Sequence, residues 1–447
     1  MASYLLRNSP TPTSEKKFTF STWLKLSSTS TAADNGIVEW YKTSSERFQV
    51  LIDSATRQLR VYAVESGVVK ITIYSDMVFR DPSAWYNICI HQDTTQASAS
   101  DRLKLWVNGV AQTFSSYTYN FSQNVNINVF DGSGTKLNLG TRGEAYATWL
   151  NGLLADTYYI DGSLIAYTEF GELDSTSSIW KPNTQPTISS FGNAGFHLKY
   201  EDSSNIGLDS SGNTNNFSTS GTLTQNVDTP SNNFATINPL YYSTSQSTLS
   251  NGNLTATSSG ANWNNFHSTL APSTGKYYWE VKVVNVGSNT HPIGIVGTEA
   301  SDINSTSPGD SFDGDATGIS YVQTGDKDVA GSRTSYGNSY TTGDIIGVAM
   351  DLDNLKLYFH KNGVYQNSGV PTSGATGTGA ISIVSGHSYL ASFAHYNTMV
   401  DSINFGQGYF GTTAVASAGT SPSGGGIFEY DCPSGYQALC TKGINSF

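Results

Sequence analysis

The stretch that most limits what this chain can fold into is residues 343–364, GDIIGVAMDLDNLKLYFHKNGV. Ile345, Gly347, Ala349 and Leu352 make a first apolar run, and Leu355, Leu357 and Phe359 alternate with Lys356 and Tyr358 in a second. Alternation at every second residue belongs to a strand with one face buried and one wet. Asp353-Asn354 and Asn362-Gly363 mark the turns, because these residue types tolerate positive φ. Residues 102–110, RLKLWVNGV, repeat the pattern far upstream and again close on Asn-Gly. Two sandwiches of related design are therefore expected.

A chain of 447 residues admits two to three domains. Charged residues make up 13 %, about half of the roughly 25 % usual in soluble domains. Disorder is excluded because aromatics reach 12 % and β-branched residues are plentiful. The net charge of −12 and the lack of a basic patch argue against nucleic acid and against anionic membrane surfaces. No apolar run approaches the ~20 residues of a membrane span, so no membrane insertion is expected. MASYLLRNSPTPTSEKK lacks the apolar core of a signal peptide, which implies synthesis in a cytosol. Three cysteines are too few for a disulfide framework. Cys89 reads as core, and Cys432 and Cys440 as a free pair, with a bridge between them as the alternative.

Strand-like runs follow one another at short spacing from FTFSTWLKL (18–26) through RFQVLID (47–53), QLRVYAV (58–64) and VVKITIY (68–74) to LLADTYYIDG (153–162). Turn residues separate them, the pattern of an all-β sandwich. The order FTFSTWLKL, AWYNICIHQD, RLKLWVNGV, GLLADTYYIDGSLIAYTEF resembles the laminin-G/concanavalin-A-like jelly roll, over about residues 15–175. GKYYWEVKV, GDIIGVAMDLDNLKLYFHKNGV and INFGQ resemble a SPRY domain, a family that is mostly a protein- or peptide-binding module. The expected organisation is a first sandwich over 1–175, a connector over 176–240 that packs on or between domains, a SPRY-like sandwich over 241–412, and a linker and tail over 413–447. Within the connector, GLDSSGNTNNF resembles the opening strand and loop of a laminin-G domain, here placed after the sandwich.

This tandem resembles large virion proteins of marine tailed bacteriophages. The resemblance implies a virion surface protein (fibre, knob or capsid decoration), localised to the particle and contacting other virion proteins. It also implies a homo-oligomer, and a host-surface glycan or protein receptor as ligand. A purely architectural decoration or joint protein is the alternative reading, and a glycan depolymerase a third.

Retaining glycosidases on this fold need two carboxylates about 5–5.5 Å apart on one strand. The nearest match to their Glu-x-Asp-x-x-Glu signature, Glu172 to Ser177, lacks the closing Glu, so no catalytic residue is expected and the chain reads as no enzyme. Asp310, Asp313 and Asp315 put three carboxylates within six residues, a possible calcium loop, since hard cations take oxygen ligands. No other cofactor is indicated. Trp149, Trp263, Tyr336 and Tyr340 stand in polar stretches beside Asn, Ser or Gly. A sugar ring stacks on an exposed aromatic while Asn and Asp bond its hydroxyls, so these four are the candidate glycan- or partner-binding residues. Coverage of the sandwich ends, or an oligomer contact, is the competing role for each.

Overall fold

The computed structural model describes residues 3–446 except 28–32, 144–147, 243–244, 301–311, 313–314 and 423–424. Among the described residues, strands joined by short turns dominate, and the one α-helix is the single turn Thr441–Ile444. The protein is all-β, and its sheets pair into sandwiches. It divides into two compact units, Met1–Gln225 and Asn226–Phe447. Among the described residues no helix is long and apolar enough to cross a membrane.

In the first unit an eight-stranded sheet runs in the order Phe114–Tyr119, Val68–Val78, Gln58–Glu65, Glu46–Ile52, Asn35–Thr43, Lys136–Leu139, Tyr4–Asn8, Ser218–Ser220. A six-stranded sheet runs Phe196–Leu198, Gly152–Asp161, Lys17–Leu26, Trp85–Asp93, Leu103–Val107, Val110–Ala111. Period-2 sequence explains the layers: Val38, Val50, Val61 and Ile73 lie opposite one another in register and all face inward. Between the sheets the rings of Phe18, Phe20, Phe48, Phe130 and Tyr159 surround Trp40. Asn108 and Gly109 take φ of 49° and 75°, the left-handed pair a tight hairpin requires.

Residues 176–225 belong to this unit, each sheet gaining a strand from them. Arg7 fixes the segment: its guanidinium lies 5.3 Å from the Phe196 ring and 5.2 Å from the Phe217 ring, and donates to the Ala194 carbonyl at 2.6 Å. Asp209 accepts from the N–H groups of His197, Ser211 and Asn215 and from the Ser211 hydroxyl, so its oxygens tie its own turn to the Phe196–Leu198 strand.

In the second unit the larger sheet runs Ser247–Ser250, Thr255–Ser258, Val400–Asn404, Lys276–Asn285, Ile345–Asp351, Lys356–Lys361, Val364–Tyr365. Ile381–Ser382 pairs with Lys356–Lys361, and Gln437–Ala438 runs parallel to the first residues of Lys276–Asn285. The facing sheet runs Trp263–His267, Tyr389–Tyr396, Pro292–Gly297, Ile319–Val322, Asp326–Val329, Ser332–Ser335. Ile346, Val348, Met350, Leu357 and Phe359 enter the core. The turn between these two strands differs from the sequence expectation, because Leu355 takes the positive φ of 57°. Asn362 and Gly363 do adopt it, at 49° and 82°.

The outward face of this sheet is not wet. The C-terminal segment expected as a linker and tail lies across it, so Tyr278, Tyr358 and His360 are buried against Phe428, Tyr430 and Tyr436. Glu280 anchors the segment from the middle of its strand. Its two oxygens accept the N–H groups of Glu429 at 2.9 Å and Tyr430 at 2.8 Å. The Gly363 N–H donates to His360 Nδ1, so His360 Nε2–H donates to Tyr278 Oη, whose own proton goes to Glu280. Burial pushes the Glu280 carboxyl up to about 7, against the opposite pull of these donors. Cys89, Cys432 and Cys440 are all buried and free, the default expected for the last two.

Candidate functional site

The outward face of the first unit's eight-stranded sheet carries what the core rejects. Alternation that sends Leu59, Val61 and Ala63 inward turns Arg60 and Tyr62 outward. Cross-strand register then sets Arg60 opposite Tyr74, and Tyr62 between Gln49 and Thr72. Arg47 stands one position along from Gln49 on the same face, and Glu39 lies between Gln49 and Asn138. The Arg60 guanidinium sits 4.5 Å from the centre of the Tyr62 ring and 5.1 Å from that of Tyr74, and Arg47 lies 5.5 Å from Tyr62. Two cations thus hold one tyrosine ring, each contact contributing about 0.5–1 kcal/mol where it is solvated. Tyr62, Tyr74 and Arg60 are half-buried, which leaves ring and guanidinium edges open to a ligand.

Residues 140–143 lie beside the Glu39 end of this face. Thr141 and Trp149 form a bridge, with Arg142 N–H donating to Thr148 at 3.0 Å and Leu150 N–H to Gly140 at 2.9 Å. Gly143 lies so close to the Glu39 carboxylate that a Cβ there would meet Oε2 at 2.0 Å, and its φ is 88°. Only glycine fits. Glu39 is consequently sealed, 1 % exposed, and accepts from Gln49 Nε2 at 2.5 Å and Asn138 Nδ2 at 3.4 Å.

Burial pushes the Glu39 carboxyl from 4.5 up to about 6, opposed by those two amides and by Arg47 and Arg142. A folded-state value above the unfolded one means stabilisation that is complete below 4.5 and lost as pH rises through about 6. The difference amounts to about 2 kcal/mol. Urea unfolding of the wild type is therefore expected to lose about 2 kcal/mol relative to Glu39→Gln between about pH 4 and about pH 7. A pH-independent difference between the two proteins would contradict this.

The other carboxylates beside the face are also committed. Asp53 Oδ1 caps its own turn, accepting from Ala55 N–H, Thr56 N–H and the Thr56 hydroxyl, and Oδ2 lies 3.8 Å from Arg60. Asp34 pairs with Arg142 and accepts from Ser54 N–H. What this face offers a ligand is aromatic surface and hydrogen-bond donors.

Residues 2–166 match the family model for the concanavalin A-like lectin/glucanases superfamily, and residues 276–391 match the SPRY domain. The chain carries a concanavalin A-like domain and a SPRY domain. No curated protein matches it. Among solved structures, the SPRY domain of human HERC1 is 17 % identical, with 37 % of this chain and 96 % of that one covered at a TM-score of 0.30. A heptameric SAP-like pentraxin from Limulus polyphemus is 14 % identical, with 37 % and 73 % covered at 0.27. Stonustoxin is 15 % identical, with 38 % and 27 % covered at 0.29.

The Arg/Tyr face lies wholly within the concanavalin A-like domain, and so does Trp149. That side chain is 42 % exposed, and its backbone bridges Thr141. The other three candidate aromatics lie in the second unit. Trp263 is half-buried, its ring 5.5 Å from that of Tyr396. Tyr336 and Tyr340 correct the sequence reading, being 6 % and 3 % exposed, and no sugar can stack on them. Both turn into the SPRY core beside Tyr321 although their neighbours in sequence are Ser, Gly and Asn. The Tyr340 hydroxyl reaches the backbone carbonyls of His291 and Tyr321, and Tyr336 Oη accepts from Phe359 N–H. Such polar ends let large rings bury without stranding a hydroxyl. Of the acidic loop, Asp310 and Asp313 lie outside the described residues. Asp315 Oδ1 accepts from the N–H and hydroxyl of Thr317, so that oxygen is used within its own turn.

Arg47, Arg60, Tyr62 and Tyr74 were not among the sequence candidates. Their signal was present in the outward positions of RFQVLID, QLRVYAV and VVKITIY, where arginine and tyrosine stand in place of small polar residues. Recognising it required the order of strands in the sheet.

Proposed function

We propose that this chain is a non-enzymatic binding protein whose concanavalin A-like domain holds a host-surface glycan on the Arg47–Arg60–Tyr62–Tyr74 face. Its finer role is that of a fibre, knob or decoration protein on a tailed-phage virion. There it meets other virion proteins, assembles as a homo-oligomer and gains avidity from multivalency. The observation that carries the binding reading is the Tyr62 ring clasped by two guanidiniums on the outward sheet face, in the same domain as the exposed Trp149. The tandem of two binding-type domains supports it. The non-enzymatic part is supported by the commitment of Glu39, Asp34 and Asp53 to turns, amides and arginines.

A glycan array probed with the multimerised full chain tests the proposal. Binding is expected, and Tyr62→Ala should weaken it about tenfold, the equivalent of about 1.4 kcal/mol of ring contact. Absence of any hit at high valency, or equal binding by the variant, would sink the glycan reading.

The purely architectural role has an observation of its own. Leu173 and Ile179, 64 % and 65 % exposed, flank Trp180 on a two-stranded ribbon. Trp180 packs against Gly109, beside Val110, itself 64 % exposed. An apolar edge of this kind suits contact with a neighbouring particle protein.

A further inference from the structure

The SPRY domain holds a cluster that the glycan reading leaves unused. His291 leads into the Pro292–Gly297 strand and His395 lies in Tyr389–Tyr396, both in the smaller sheet. Asp401 comes from Val400–Asn404 in the facing sheet. All three side chains are fully buried, and their ligand-type atoms lie within 4.8 Å of one another. Among the described residues this is the one place where three such atoms converge. Asp401 Oδ2 stands 2.7 Å from His291 Nε2 and 3.0 Å from His395 Nε2.

Hydrogen bonding alone does not close the accounts here. If both imidazoles donate from Nε2 to the one oxygen, His291 Nδ1 and Asp401 Oδ1 remain buried without a partner among the described residues. A buried carboxylate oxygen lacking a donor costs about 1–3 kcal/mol or more. The donor set of two imidazole nitrogens and a carboxylate is one that zinc takes. We propose that His291, His395 and Asp401 bind a structural zinc ion that ties the two sheets of the SPRY domain together.

Ligation through both Nε2 atoms and both carboxylate oxygens would supply four donors and give Asp401 Oδ1 a partner, while His291 Nδ1 keeps none among the described residues. Ser258 Oγ lies 3.3 Å from His395 Nδ1 and accepts its proton, the kind of outer partner that orients a metal-binding histidine. Zinc–ligand bonds of about 2.0–2.1 Å place the ligand atoms of a tetrahedron about 3.3 Å apart, so binding needs Asp401 to withdraw by about half an ångström. Full burial leaves no open approach for a substrate, so the role is structural. In a chain whose cysteines are free, such an ion would clasp sheet to sheet as a cross-link does.

The test is to unfold the full chain in chelator, refold it with and without zinc, and remove loose metal by gel filtration. Stoichiometric retained zinc and a higher unfolding midpoint than the metal-free protein are expected. Asp401→Asn should abolish retention, and Ser258→Ala should weaken it by about tenfold. Should Asp401→Asn fail to fold, the wild type refolded with cobalt decides, since imidazole–carboxylate ligation gives visible absorption bands. A wild type that refolds without retaining zinc or showing cobalt bands would mean that the triad shares only a proton, and the proposal fails. Equal retention by folded Asp401→Asn would overturn it as well.

Discussion

Removal of residues 427–447 is expected to abolish cooperative folding of the SPRY domain while leaving the concanavalin A-like domain folded. The sequence marks this segment as a tail rich in aromatics, and Phe428, Tyr436 and Leu439 are at most 2 % exposed. Phe428 meets the Tyr278 ring edge-on at 4.9 Å, and Leu439 reaches the principal core between the sheets. Burying a large apolar side chain contributes about 1.5–3 kcal/mol, so these three together approach about 5–9 kcal/mol. A whole domain is stable by about 5–15 kcal/mol. Truncation also bares Tyr278, Tyr358 and Ala349 and strips two N–H donors from Glu280, which water would replace only in part. Thermal unfolding of full and truncated chains, followed by near-ultraviolet circular dichroism, should show one transition lost. An unchanged melting profile would mean that the strap is ornamental.

Trp40→Ala should cost the first unit about 3–5 kcal/mol, the range for emptying a large aromatic site in a well-packed core. Trp40 is 1 % exposed, and ring centres of Phe18, Phe130 and Tyr159 lie 5.3, 5.5 and 5.3 Å away. Its neighbours come from both sheets, so collapse into the void would shift strands as well as side chains. Trp40→Phe separates packing from polarity. The indole N–H is buried with no hydrogen-bond partner among the described residues, so phenylalanine removes an unsatisfied donor along with part of the volume. That variant should lose less than about 1.5 kcal/mol. Urea unfolding monitored on the first transition distinguishes the two. Near-equal losses for both substitutions would count against this picture of the core.

Strand periodicity made the two sandwiches legible, because inward positions such as Val50, Val61 and Ile73 must be apolar whatever the ligand. Asn-Gly turns were equally legible, since a left-handed pair of residues admits few side chains. Tertiary cover was not. Tyr358 and His360 occupy positions that a lone sheet would leave wet, and they are buried only because a distant segment returns to them. Tyr336 and Tyr340 failed as surface candidates for a related reason: the size of a ring outweighs the polarity of its neighbours once its hydroxyl finds a carbonyl. The Arg/Tyr face was hidden because its members lie on separate strands, and their meeting depends on register.

The claim that most needs a direct trial is the location of the ligand surface. Hydrogen–deuterium exchange of the full chain, with and without a saturating glycan selected from the array, reads that location residue by residue. Slowed exchange is expected in residues 46–78, 140–143 and 148–150, with the rest of the chain unchanged. Protection confined to the second unit, around residues 316–340, would place the ligand elsewhere and contradict the assignment.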